Sequence, residues 1–194
     1  MIEFKSKRNR VYLREGKVYK HFNSVSAAQA EALFINMLLE KGVKVPAVLG
    51  HDGDVLIIEY IDGLTLPDLL CSQDEPDWRQ ISAALTGWLQ SFYDAVCHET
   101  TGEIRGDVNG RNFIFHAGDV WGVDFEEHCY GVRETDAGRL LAYITTYEIP
   151  DTTRKIVLSN ALERQFTDVM KLDPIMITAE REKELHAMTQ RRKR

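Results

Sequence analysis

The sequence predicts an α+β fold, a small antiparallel sheet with one helix followed by a mainly helical remainder. Three observations predict it. Short apolar runs of strand length, divided by turn signals such as Glu15-Gly16 and Asp52-Gly53, crowd the chain up to Tyr60. An apolar stripe at helical spacing then runs from about Pro76 to Val96. The chain from about residue 151 to its end is helical in pattern, with a break at Asp173-Pro174.

Composition narrows the class. A length of 194 residues allows a substantial core in one domain or two small lobes. A hydrophobic share of 44% and a charged share of 28% exclude a disordered or fibrous chain. The net charge of −6 argues against a protein that works by coating nucleic acid. No apolar run approaches the roughly 20 residues of a membrane span, and Met1-Ile2-Glu3-Phe4-Lys5 lacks the shape of a signal peptide. Cys71, Cys97 and Cys129 are odd in number, far apart and in no C-x-x-C spacing, so they read as free thiols in a reducing compartment. A cytoplasmic location is the expectation.

The elements follow in order. Strands are expected at Ile2 to about Ser6, Val11–Arg14 and Lys17–Phe22, the first two joined by the turn Lys7-Arg8-Asn9-Arg10. Alternation puts Val18, Lys20 and Phe22 on one face. An inward lysine needs a charged partner, because an unpaired buried ammonium is costly; the plain alternative is a lysine at a sheet edge. The pair Ser26 and Gln29 signals a capping box for a helix over Ala27–Lys41, closed by Gly42. Its stripe of Ala27, Phe34, Ile35 and Leu38 contains Glu31, the expected partner of Lys20. Glu40 is the alternative, in a last turn where the helix dipole disfavours a carboxylate. A hairpin spans Val45–His51 and Val55–Tyr60, and Ile61-Asp62-Gly63-Leu64-Thr65-Leu66 breaks the strand pattern. In the long helix, Ile81, Ala84, Leu85, Trp88, Leu89, Phe92, Ala95 and Val96 form a core stripe without chemistry.

The chemistry concentrates in Arg105-Gly106-Asp107-Val108-Asn109-Gly110-Arg111-Asn112 and in Asp124-Phe125-Glu126. Between them, Phe113–His116, Ala117-Gly118-Asp119 and Val120–Val123 read as strand, turn and strand. Such a hairpin returns Asp124 towards Asp107 and Asn112. Phosphoryl transfer needs that set: a carboxylate to orient and deprotonate the attacking hydroxyl, and an amide oxygen and a second carboxylate to hold magnesium against the triphosphate.

With these residues the chain resembles the protein-kinase-like superfamily, whose catalytic loop follows H-[RG]-D-x-x-x-x-N and whose metal-binding Asp opens D-F-G or D-[FW]-[DE]. A strand lysine, a helix glutamate, a hinge-like Glu59-Tyr60-Ile61-Asp62-Gly63, the loop and D-F-E occur in the family's order over about residues 1–145. The resemblance implies a two-lobed kinase-like fold, with a nucleotide-binding lobe over residues 1–62 and a helical lobe over 63–194. It implies ATP and Mg2+ as cofactors. Asp107 becomes the catalytic base, Asn112 and Asp124 the magnesium ligands, and Lys20 the phosphate anchor set by Glu31. The Glu59 carbonyl and the Ile61 amide take the adenine edge. Asp136 turns back to hold the catalytic loop, a role compatible with its plain one as an N-cap. Asp62 and Asp68 fall near the ribose and substrate, or serve as turn and cap residues.

Three departures stand out: the turn Lys7–Arg10 has no glycine, Arg105 replaces the usual His, and Glu126 replaces the Gly of D-F-G. The basic turn either approaches phosphates by charge or is simply solvated. Within the superfamily, Gly42–Leu70 and the polar Asn109 are most similar to the small kinase of the KEOPS tRNA-modification complex and to RIO kinases. R/H-G-D and D-F-E are shared with antibiotic- and choline-type kinases, and the Glu of D-F-E also occurs in sugar- and aminoglycoside-type kinases. The implied activity is a compact kinase or ATPase that passes the γ-phosphoryl group to a hydroxyl on a protein. The alternatives are a small-molecule phosphotransferase and a pseudokinase that binds a partner without catalysis. Neither a membrane nor nucleic acid is expected as a partner, except nucleic acid through the basic tail Arg191, Arg192, Lys193 and Arg194, which also reads as a solvated end.

Overall fold

The computed structural model describes residues 2–4, 9–96 and 102–192. Lys7, Arg8, Cys97, Lys193 and Arg194 lie outside the described residues.

The N-terminal strands are β1 (Ile2–Phe4), β2 (Arg10–Arg14), β3 (Lys17–His21), β4 (Val48–Asp52) and β5 (Val55–Glu59). They form one antiparallel sheet in the order β1-β2-β3-β5-β4. Glu15 and Gly16 both adopt positive φ, the geometry of a tight turn whose twist matches its strands. In β3, Lys20 lies between Val11 of β2 and Leu56 of β5, which places it at the centre of the sheet rather than at an edge.

The helix α1 (Val25–Glu40) covers this sheet. Its N-cap is Ser24, not the expected Ser26: the extended backbone of Ser24 brings its Oγ to accept the Ala27 amide at 3.2 Å, so the helix starts two residues earlier. The buried face is accordingly Ala28, Glu31, Ala32, Ile35 and Leu38, with Ala27 exposed.

After β5 the chain makes a short strand β6 (Leu64–Thr65) and α2 (Leu66–Cys71). Thr65 and Asp68 cap α2 reciprocally, which gives Asp68 a structural role. The long helix is α3 (Trp78–Val96); Asp77 Oδ1 accepts from the amides of Arg79 and Gln80, so it begins two residues beyond the expected Pro76. Its buried face includes Leu85, Trp88, Leu89 and Phe92 and supports the loop region through ring contacts of Trp88 with Phe113 and of Phe92 with Phe125. The strand β7 (Gly102–Ile104) pairs with β10 (Cys129–Gly131), and β8 (Phe113–His116) and β9 (Asp119–Gly122) make the expected hairpin, paired in turn with β6.

Three helices complete the fold: α4 (Arg133–Thr146), α5 (Thr152–Arg164) and α6 (Pro174–Arg192). A π-helical turn over Gln165–Val169 follows α5, and the break falls at Asp173-Pro174 as expected. One continuous cluster of buried side chains runs from Phe22 and Ala28 through Leu85 and Phe113 to Leu162 and Ile177. The architecture is α+β and two-lobed, a small sheet with one helix beside a mainly helical body. Among the described residues, no helix is long and apolar enough to cross a membrane.

Candidate functional site

Strand and helix periods converge on Lys20. Its side chain is 6% exposed, and its Nζ donates to both carboxylate oxygens of Glu31 at 3.0 and 2.9 Å and to Asp124 Oδ1 at 2.6 Å. Glu126 Oε1 stands 2.6 Å from the same nitrogen. Glu40, the other helix carboxylate, is exposed at the end of α1.

One ammonium therefore faces three carboxylates, a local sum of −2 when all are ionised. Burial opposes the charge on Lys20, but Glu31 and Asp124 outweigh it and hold its pKa above the usual lysine range. Burial pushes the Glu31 carboxyl up by more than Lys20 draws it down, and Asp124 and Glu126 add to the rise. This upward shift, opposite to that of a carboxylate in an exposed pair, follows first from burial and only then from the neighbouring negative charge. Burial also pushes Asp124 up, yet Lys20 and Arg105 bring it below the usual carboxylate range. Oxygens of Glu31, Asp124 and Glu126 lie within 4.8 Å of one another, an all-oxygen donor set of the type that hard divalent cations take.

The hairpin ends beside the loop. The Val123 amide donates to the Asn112 carbonyl at 3.0 Å, which sets Asp124 next to the loop's last residue. Asp124 itself has φ +65, an uncommon conformation for a non-glycine residue and one that concentrates at functional sites. Asn112 is buried, and its Nδ2 donates to the Asp107 carbonyl at 3.3 Å. The half-buried Asp107 accepts the Asn109 amide on Oδ1 at 3.1 Å. Gly106, at φ +74, is tightly bound here: a Cβ on it would lie 2.0 Å from the Glu127 carbonyl oxygen.

The loop is braced from below. Asp136 is fully buried and accepts the Arg105 amide at 2.7 Å, the Gly106 amide at 3.0 Å and the Tyr93 hydroxyl at 3.0 Å. It is not an N-cap: α4 is entered at Val132, and Asp136 lies inside the helix, where it is free to reach the loop. Burial pushes its carboxyl up against the pull of these donors. Arg139 donates to the Gly106 carbonyl at 3.0 Å. Tyr147, just past α4, accepts the Gly110 amide at 2.8 Å and donates to Asn109 Oδ1 at 3.2 Å.

Arg105 is the least expected member. It is 0% exposed, stacks its guanidinium 4.6 Å over the Phe125 ring, and donates through one terminal nitrogen to the carbonyls of Val123 and Asp124. It thereby ties the loop to the segment that carries Asp124. In the sequence Arg105 stands out only as a departure, and Tyr93, Arg139 and Tyr147 leave no signal, because each reaches the loop region by one or two hydrogen bonds from a residue 33 to 43 positions away. Another missed contact links the basic turn to the site: the buried Asn9 donates its side-chain amide to Glu126.

Glu59 ends β5, and its carboxylate accepts the Ala47 amide at 3.2 Å. Ile61 is buried in the connection between the two parts of the fold. Asp62 accepts from the Tyr60 hydroxyl at 3.4 Å on the surface. Arg10 turns outward to Glu3, with both side chains 57% exposed. Arg191 and Arg192 are exposed in the last turn of α6, where Arg191 pairs with Glu184.

Comparison with known proteins adds to this geometry. A model of the RIO domain family matches residues 2–141. A curated relative from Methanospirillum hungatei, a probable bifunctional tRNA threonylcarbamoyladenosine biosynthesis protein, is 24% identical over 180 residues. That match covers 89% of this chain and 32% of the relative, so the chain spans about a third of that protein's length. Among solved structures, the ternary complex of APH(2'')-IIa with streptomycin and ATP aligns with a TM-score of 0.64 at 13% identity, covering 95% of this chain and 82% of the other. The Rio2 kinase of Chaetomium thermophilum, in an ADP/Mg2+-phosphoaspartate complex, aligns with a TM-score of 0.54 at 15% identity, covering 93% and 59%. At these identities the structural likeness shows a protein-kinase-like fold.

Proposed function

The chain belongs to the RIO domain family, and from that premise we propose that it is an ATP- and magnesium-dependent phosphotransferase acting on a hydroxyl of a protein. The observation that carries this reading is the position of Lys20 Nζ, held between Glu31 and Asp124 beside the loop of Asp107 and Asn112. On this reading Lys20 grips the nucleotide phosphates, and Glu31 keeps it aimed. Asn112 and Asp124 hold magnesium, with the carboxylates of the cluster fitting a hard divalent cation. Magnesium supplies charge neutralisation between the phosphates when bound there.

Asp107 takes the proton of the acceptor hydroxyl. Its carboxylate is oriented for this by the Asn109 amide, while Asp136 and Tyr147 fix the backbone on either side. The adenine edge is read by the Glu59 carbonyl and the Ile61 amide in the connection after β5. Likeness to the archaeal relative supports an acceptor protein that works in tRNA modification.

The test is ATP consumption with magnesium, alone and with candidate acceptors, in wild type and Asp107→Asn. The substitution keeps side-chain shape and removes the base, so turnover should fall about 10²–10⁴-fold with nucleotide affinity retained. Transfer to aminoglycosides or choline in preference to proteins would replace the protein acceptor with a small one. A folded wild-type protein that consumes no ATP with any acceptor would contradict the proposal.

A further inference from the structure

One ring contact crosses between the two parts of the fold beside the site. His128, two residues after Glu126, stacks on Phe34 of α1 with ring centroids 4.1 Å apart and planes 7° from parallel. Its Nδ1 lies 2.8 Å from the Phe125 carbonyl oxygen, and since a carbonyl only accepts, Nδ1 carries the hydrogen of that contact. Its Nε2 stands 3.9 Å from Glu103 Oε2 on β7. Phe34 also meets the ring of Phe125 at 5.8 Å and that of Phe92 at 6.3 Å. It lies one turn of α1 beyond Glu31.

We propose that His128 is a positioning residue for phosphoryl transfer: its ring clasps Phe34 and so holds α1, with Glu31, against the segment that carries Asp124. The inference rests on the phosphotransferase reading above. The helix needs such a hold. Oxygens of Glu31, Asp124 and Glu126 lie within 4.8 Å of one another, and Lys20 contacts all three groups. Repulsion among the carboxylates drives Glu31, and the helix that bears it, away from Asp124. Ring stacking does not depend on the charge at the site and opposes that drive. A ring on Phe34 can do so only if its own place is fixed. The bond from Nδ1 to the Phe125 carbonyl, three residues back, sets the ring against the backbone of D-F-E. His128 thus joins that backbone to α1, with β7 at its outer nitrogen.

The opposing account makes His128 a filler of the space beside Phe34, replaceable by any apolar side chain of similar size. The two accounts differ over leucine. It fills the volume but offers no plane to stack.

The experiment compares wild type with His128→Leu, His128→Phe, Phe34→Leu and the double variant His128→Leu/Phe34→Leu. It reads magnesium-dependent ATP consumption with the acceptors tested above, the dissociation constant for ADP with magnesium, and hydrogen exchange over residues 25–40 without nucleotide. His128→Leu should lower kcat about tenfold, the cost of a small misplacement of the reacting groups, and quicken exchange in α1. Affinity for ADP should stay within about threefold, because Lys20 keeps Asp124 and Glu126 when Glu31 shifts. His128→Phe restores the flat ring and should return kcat to within about threefold of wild type. Phe34→Leu cuts the same link from the helix side, and it carries the test alone if His128→Leu does not fold. The double variant should be no slower than the worse single one. Equal behaviour of His128→Leu and His128→Phe, or losses that add in the double variant, would overturn the clasp and leave the phosphotransferase reading standing. A folded wild-type protein that binds no ADP and consumes no ATP with any acceptor would overturn that reading, and the proposed role with it.

Discussion

The charge cluster makes an asymmetric prediction about stability. Lys20→Met removes the ammonium that contacts Glu31, Asp124 and Glu126 directly. Breaking a buried pair from one side costs about 3–5 kcal/mol. Asp124 and Glu126 are 45% and 24% exposed, so water relieves part of the excess charge, and about 3 kcal/mol is the figure to expect. In a chain of this size each kcal/mol moves Tm by about 2–4 °C, so Lys20→Met should lower it by about 6–12 °C. Glu31→Leu is different, because Lys20 keeps Asp124 and Glu126, each at 2.6 Å. Its charge stays matched, and the loss should be about 1–2 kcal/mol. The double variant removes both members of the buried pair and should be less damaged than the sum of the singles by at least about 1 kcal/mol. It should nonetheless fail to bind nucleotide. Thermal unfolding of the four proteins provides the cycle, with nucleotide titration alongside. Equal losses in the two single variants, adding simply in the double, would refute the reasoning, since Lys20 would then owe nothing special to its three carboxylates.

Other consequences follow from the braces. Tyr147→Phe takes the acceptor from the Gly110 amide and the donor from Asn109, so transfer should slow about tenfold while affinity for magnesium nucleotide stays within about twofold; a matching loss of affinity would place Tyr147 in nucleotide binding instead. Gly138→Ala would put a Cβ 2.6 Å from the Arg181 amide nitrogen and 2.7 Å from the Ile177 carbonyl oxygen, both backbone atoms of α6. The resulting overpacking of about 1–3 kcal/mol should outweigh the helix-propensity gain of about 1 kcal/mol and lower Tm. A rise in Tm would mean that α6 is not seated on α4 as described.

How much of this was legible in the chain depends on whether a residue's task is local. The sheet, its tight turns and the surroundings of Lys20 and Glu31 were readable, because alternation and helical spacing are properties of short windows. The hairpin that returns Asp124 to Asn112 was readable for the same reason. The start of α1 was not, since Ser24 and Ser26 are both good caps and only the backbone angles of Ser24 decide between them. Asp136 carried two compatible roles in sequence, and the structure keeps one. Arg105 looked like an ordinary polar substitution, yet it is wholly buried, and its partners are backbone carbonyls 18 and 19 residues away. Backbone acceptors have no residue identity, so no sequence pattern marks them. Tyr147 shares this in part, since one of its partners is the Gly110 amide, while Tyr93 is hidden by the 43 residues that separate it from the Asp136 carboxylate. The contact between Asn9 and Glu126 is hidden differently: the glycine-free turn and Glu126 are separate departures in the sequence, and only the fold puts Asn9 beside Glu126. The π-helical turn at Gln165–Val169 left no signal in an otherwise helical stretch.

Calorimetric titration of ATP with and without magnesium into wild type and Asp124→Ala tests the central claim most directly. The account holds that the cluster around Lys20 is a magnesium-nucleotide site, with an excess of negative charge that the metal relieves. It predicts binding by wild type that depends on magnesium and is lost in Asp124→Ala, with circular dichroism showing the variant folded. Nucleotide binding that is indifferent to magnesium, or equal in the two proteins, would contradict it.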